Sequence, residues 1–130
     1  IGRCGGDCMN RMLMMECHGE GKISNCAVGG NDCGNRPLGK RQYTKCKPRR
    51  EQGKGWGLVA TGNVKKGELV QEYMGDVIDE ATKESRLKEW TKEHPNDPNF
   101  YIMALPAGWY IDARHEANLS RFINHSCGPN

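Results

Sequence analysis

No run of about 18 apolar residues occurs in the chain, so no segment is long and apolar enough to cross a bilayer as a helix. Aromatic residues are scarce, at 7%, and hydrophobic residues of all kinds make up 36%. With a mean hydropathy of −0.79, that is a thin supply for a closed core in 130 residues. A strong excess of one charge is also missing. The 19 Lys and Arg stand against 16 Asp and Glu, for a net charge of +3. This excludes a histone-like polycation and leaves room for a local basic patch. The chain opens Ile1-Gly2-Arg3-Cys4, with neither a starting Met nor an apolar leader. Repeats and low-complexity tracts are absent. Both ends are expected to be cuts through a larger protein.

Cysteine is abundant. There are seven, an odd number, which argues against a closed disulfide framework. Cys4, Cys8, Cys17, Cys26 and Cys33 fall in the first 33 residues, among dense Gly and Asn. Such a segment cannot offset its chain entropy by apolar burial and needs cross-links or metal. Structural zinc, with four thiolate or imidazole ligands in a tetrahedron, is the leading reading. A disulfide-rich secreted module and ordinary buried thiols are the alternatives. His18 and His94 read as solvent-facing.

Within this head, Asn10 to Glu16 has the apolar content for about two helical turns or a short strand. From Arg36 to Lys54 the chain turns basic, and Pro37 and Pro48 argue against helix. A junction or an exposed first strand is expected there. Leu58-Val59-Ala60 reads as a short strand, and Glu68 to Ile78 as a strand-like run broken at Gly75. Asp79 is a plausible N-cap for a surface helix over Glu80 to Glu93, stopped by Pro95. Asn99 to Leu105 and Trp109 to Ala113 read as strands joined by Pro106-Ala107-Gly108, and Asn118 to Ile123 as a short helical turn. A Cys/Gly-rich head therefore precedes a mainly β body with few helices.

These residues carry a family resemblance. Cys4-Gly-Gly-Asp-Cys8-Met-Asn-Arg11-Met-Leu-Met-Met-Glu16-Cys17 resembles the AWS ("associated with SET") module. Lys54-Gly55-Trp56-Gly57-Leu58, Lys66-Gly67-Glu68, Glu72-Tyr73-Met74-Gly75-Asp76, Tyr110-Ile111-Asp112-Ala113 and Arg121-Phe122-Ile123-Asn124-His125-Ser126-Cys127-Gly128-Pro129-Asn130 follow in the order of a SET-domain protein lysine methyltransferase. The subgroup it most resembles is the NSD-like and Set-two-like enzymes that act on lysine 36 of histone H3. The implied organisation is an AWS zinc module over residues 1–42 and a SET β-fold over 44–130, each incomplete at its outer end.

The resemblance also implies site roles. S-adenosylmethionine is the expected methyl donor. Lys54, Gly55 and Trp56 match its first binding loop, Asn99, Phe100 and Tyr101 the second, and Arg121, Asn124 and His125 the third. Tyr73 and Tyr101 match channel tyrosines that orient the lysine amine. Without the family, two strand tyrosines are more often core or surface residues, and Asn-His-Ser reads as a helix end and turn. In the family, seven AWS cysteines bind two zincs. Cys4 would be the shared ligand, with Cys17, Cys26 and Cys33 closing one site and Cys8 belonging to the other. The Cys17 to Cys26 gap is longer than the family's. Cys127 would join a third zinc, completed by cysteines of a later segment. Cys46 falls where a buried apolar residue is usual, and Pro48, Arg49 and Arg50 are expected to weaken or redirect the first SET strand.

The expected partners are the histone H3 tail and the nucleosome, with candidate DNA-phosphate contacts from Lys40, Arg41, Lys45, Lys47, Arg49 and Arg50. A nuclear, chromosome-associated location follows from that substrate class. The closing tyrosine of the family is expected beyond Asn130, so the 130-residue piece alone is expected to turn over little or not at all. A zinc-dependent chromatin-binding module and a degenerate, non-methylating SET protein are the competing readings.

Overall fold

The structure is a computed structural model that describes residues 4, 8–18, 26, 33–53, 55–97 and 99–128. It divides into two compact units, Ile1–Thr44 with Lys65–Val70, and Lys45–Val64 with Gln71–Asn130. Lys54, expected in the first donor loop, lies outside the described residues.

Among the described residues of the first unit, Met9–Met12 form a helical turn, α1. It is shorter than the two turns its composition suggests because Met14 adopts a left-handed φ of 57°, which ends a right-handed helix. Polar groups supply much of its internal bonding. The Glu16 carboxylate accepts the backbone N–H of Leu38 at 2.6 Å and of Gly39 at 3.1 Å. The Cys17 N–H donates to Asn35 O at 3.0 Å. Thr44 donates its N–H to Val70 O at 3.0 Å and its hydroxyl to Leu69 O at 3.0 Å. Among the described residues here, the fully buried side chains are cysteines, Cys17 and Cys33.

In the second unit, β1 (Cys46–Glu51) pairs antiparallel with β2 (Gly55–Ala60), with Cys46 opposite Ala60 and Glu51 opposite Gly55. Pro48, Arg49 and Arg50 do not weaken β1, whose six residues all find partners. A proline is tolerated because both strands of a two-stranded sheet are edges. Cys46 is half-buried rather than buried, since such a sheet covers little of either face.

The second sheet has the order β3-β5-β4, antiparallel throughout, from β3 (Asp76–Asp79), β4 (Ile102–Ala104) and β5 (Trp109–Asp112). Pro106–Gly108 form a 3-10 turn between β4 and β5. The helix α2 spans Glu80–Glu93, and the Asp79 carboxylate caps it by accepting the Thr82 N–H at 2.8 Å. None of its residues is fully buried, in line with its few apolar positions.

Two expected strands are shorter than their composition suggests. Glu68 to Gly75 forms no strand. The carbonyls of Leu69 and Val70 go to Thr44, and Gly75 backs against Asp112, where a Cβ would meet the carbonyl oxygen at 2.3 Å. The Asn99-to-Leu105 run keeps only Ile102–Ala104, because Tyr101 turns the backbone with a φ of 47°.

Candidate active site and metal centre

The Sγ atoms of Cys4, Cys17, Cys26 and Cys33 all lie within 4.8 Å of one another. Two of the separations are 3.4 Å (Cys4 to Cys26) and 3.5 Å (Cys26 to Cys33). With Zn–S bonds near 2.3 Å, a tetrahedron puts its sulfurs about 3.8 Å apart, so the donor set and its spacing fit a structural zinc. Cys26 belongs to the cluster despite its long gap from Cys17. Cys8 stands outside the four, with its Sγ 3.9 Å from that of Cys17.

The surrounding groups suit thiolate. Asn10 Nδ2 and Asn35 Nδ2 donate to Cys17 Sγ at 3.3 and 3.4 Å, and the Asn35 N–H donates to Cys33 Sγ at 3.4 Å. The two amide donors bring the Cys17 thiol down to about 6, Asn10 contributing most. Hydrogen bonding to Cys26 pushes Cys4 up, and burial pushes Cys33 up. A bound dication would favour the thiolate at all of them.

Cys127 is exposed, with His125 Nε2 at 3.3 Å from its Sγ. Among the described residues it joins no group of three metal-ligating side chains.

In the second unit, the segment after β5 meets β2. The Trp56 and Phe122 rings lie 6.3 Å apart at 48°. A Cβ built on Gly57 would come 3.1 Å from Asn124 Nδ2, so the missing side chain is what lets Asn124 approach the strand. The 3-10 turn Leu119–Phe122 aims this segment. Asn118 caps it by accepting the Ser120 N–H at 3.0 Å, and its Nδ2 donates to Glu72 O at 2.9 Å, beside Tyr73.

The two tyrosines share one electrostatic neighbourhood. Burial raises the Tyr73 phenol above its ordinary value, Arg121 opposes the rise, and Asp112 and Tyr101 add to it. Tyr73 is therefore a neutral phenol near pH 7. The Arg121 guanidinium sits 4.2 Å from the centre of the Tyr101 ring. Other expected residues lie at the surface. Asn99 is exposed and donates its N–H and Nδ2 to Asp97, at 2.9 and 2.8 Å. Phe100 is also exposed, as is His125.

Beside the site lies a charged centre that no sequence motif marks with a role. Asp76 on β3 and Asp112 on β5 are directly opposed in the register, an unfavourable pairing of like charges. Arg86 of α2 resolves it by donating one Nη1 to both carboxylates, each at 2.9 Å. Arg114 grips Asp112 through Nε at 2.8 Å and Nη2 at 2.7 Å, and gives Nη1 to Arg86 O at 2.9 Å. Asp112 and Arg114 are both buried. Burial alone would raise the Asp112 carboxyl, but Arg114 and Arg86 outweigh it and hold it well below the usual carboxylate range. Asp112 lies within Tyr110-Ile111-Asp112-Ala113, but no periodicity marks a buried ion pair.

The sequence itself matches a known class. Residues 55–130 match the family model described as the SET domain, and the chain belongs to the SET-domain family. It is similar, at 42% identity over 98% of its length, to human "Histone-lysine N-methyltransferase, H3 lysine-36 specific", of which it covers 4%. It is 39% identical over 98% of its length to "Histone-lysine N-methyltransferase ASHH3" of Arabidopsis thaliana, covering 33% of that protein. Against "Histone-lysine N-methyltransferase SETD2" of Homo sapiens the identity is 39% over 98% of the chain and 5% of the relative. The chain thus spans a third or less of each of these three relatives.

Proposed function

We propose that this chain belongs to a protein-lysine N-methyltransferase that moves a methyl group from S-adenosylmethionine to a histone lysine, lysine 36 of histone H3 in particular. The observation that carries the reading is the SET match over residues 55–130, together with similarity along 98% of the chain to relatives named for that lysine. The geometry supports it. Trp56, half-exposed, offers an aromatic face to the donor, and Asn124, close against Gly57, an amide. Asn99, Phe100, His125 and Lys54 complete the proposed donor contacts, with the roles the resemblance implies.

S-adenosylmethionine supplies a methyl group on a positively charged sulfur. The lysine amine first loses its proton to water. Its lone pair then forms the N–CH3 bond as the S–CH3 bond breaks, leaving a neutral thioether. The protein's work is alignment and exclusion of water from the path. Tyr73, held neutral by its burial, serves as a hydroxyl that orients the amine rather than as a phenolate base, and Tyr101 flanks the same channel.

In this reading residues 1–42 form the AWS module and residues 44–130 the SET part. Zinc at Cys4, Cys17, Cys26 and Cys33 holds the first in shape, with Cys8 and Cys127 belonging to further zinc sites. The exposed Lys45, Lys47, Arg49 and Arg50, with Arg41, offer cations to nucleosomal DNA. Arg49 is partly neutralised by Glu51, and Lys40 already donates to Cys33 O at 3.1 Å. The protein would act in the nucleus, on chromosomes.

The test is methylation of recombinant nucleosomes by the full-length protein, with the mark located by mass spectrometry. Methyl on lysine 36 of histone H3 is expected. A mark on another lysine overturns the substrate assignment, and no transfer at all overturns the activity.

A further inference from the structure

Tyr101 is a bulky residue in a conformation that suits glycine, with a φ of 47°. Such a backbone persists only where its surroundings over-determine it. Among the described residues two restraints act on it, one from just after β5 and one from the 3-10 turn. The Ala113 N–H donates to Tyr101 O at 2.9 Å, and the Arg121 guanidinium covers the ring at 4.2 Å.

Arg121 is itself held. Its Nη1 donates to Arg114 O at 3.0 Å, and Arg114 is fixed by its two-point grip on buried Asp112. Arg121 Nε is buried and finds no partner among the described residues. A guanidinium free to choose by hydrogen bonds alone would not leave one donor unmet in the interior. Its placement over the ring is the compensation, because a desolvated cation on an aromatic face is attracted by the ring quadrupole.

We propose that Arg121 is a positioning residue for Tyr101. It acts on methyl transfer by fixing the phenol and does not touch the methyl donor, which departs from the donor-binding role that the resemblance implies for Arg121 alongside Asn124 and His125. Asp112, Arg114 and Arg121 then form one chain of contacts that ends on the channel tyrosine. This rests on the methyltransferase reading, with Tyr101 in the lysine channel.

The experiment compares Arg121→Met, which keeps length and removes charge, with Arg121→Lys in the full-length protein. The protein carries 3-fluorotyrosine, and Tyr101→Phe assigns the Tyr101 fluorine resonance. Arg121→Met should shift that resonance, leave the Kd for S-adenosylmethionine unchanged and lower kcat by about tenfold or more. Arg121→Lys should retain part of both properties. An unmoved resonance in Arg121→Met overturns the proposal, and so does a weakened donor affinity with unchanged kcat. If Arg121→Met fails to fold by circular dichroism, Arg121→Lys decides by the same readouts. The fluorine shift needs no turnover, so absence of methyl transfer in the unaltered protein would sink the functional reading and leave the contact itself still judged.

Discussion

Gly75 packs against the backbone of Asp112 so tightly that a Cβ there would sit 2.3 Å from the Asp112 carbonyl oxygen and 2.9 Å from Ala113 N. Both obstructing groups are main chain, so neither can rotate away. Gly75→Ala should push β3 off β5 and destabilise the fold by about 3 kcal/mol. Chemical denaturation of the two proteins checks this. A loss below about 1 kcal/mol would mean that the strands separate without cost.

The ion pairs around Asp112 tie stability to pH. Its carboxyl titrates lower folded than unfolded, so across that interval the folded state binds fewer protons. The stabilisation is complete above the unfolded value of about 3.9 and is lost as the pH falls through the lower folded value. Asp112→Asn should remove this acid-sensitive part and leave Arg114 buried with an uncompensated charge, at a cost of about 3–5 kcal/mol near pH 7. Denaturant titrations at several pH values read both effects. Equal stability of the two proteins at neutral pH would refute the account.

The four-sulfur cluster predicts at least one tightly held zinc per chain, because four thiolates at this spacing close a tetrahedral site. Native mass spectrometry counts the metal. Cys17→Ser should lose that zinc and, with it, the order of the first unit, since Cys17 is fully buried there. Retention of the metal in Cys17→Ser would exclude this ligand set.

Tyr73→Phe isolates the proposed hydroxyl. The ring stays and the fold should keep its melting temperature. If the hydroxyl orients the amine, kcat should fall by about 100-fold, as for removal of a hydrogen-bonding group at a reacting centre. An unchanged kcat would place the reacting amine elsewhere.

Much of the body was legible because its signals are local. Asp79, Glu80 and Pro95 mark both ends of α2, and the helix runs Glu80–Glu93 as they require. Pro106-Ala107-Gly108 separates β4 from β5 as expected. The cysteine cluster was legible because a segment so poor in apolar residues has few other ways to fold. The long-range features were not. Nothing near Tyr101 announces its left-handed backbone, which depends on Ala113 and Arg121. Nothing near Asp76 announces that it will face Asp112 and need Arg86 between them. Leu69 and Val70 look like strand residues, and their carbonyls are claimed by Thr44, 25 and 26 positions earlier.

The placement of the three tryptophans gives the chain optical reporters of its own. Trp56 is 53% exposed beside the proposed donor site, so its emission reads whether water still reaches that face. Trp90 stacks on His94 at 4.0 Å and lies 5.5 Å from the Arg114 guanidinium, so its emission reads the integrity of the charged centre. Trp109, 49% exposed on β5, supplies a steady background. Occupancy and unfolding thus speak through different indoles, and single Trp-to-Phe replacements separate them without an added label.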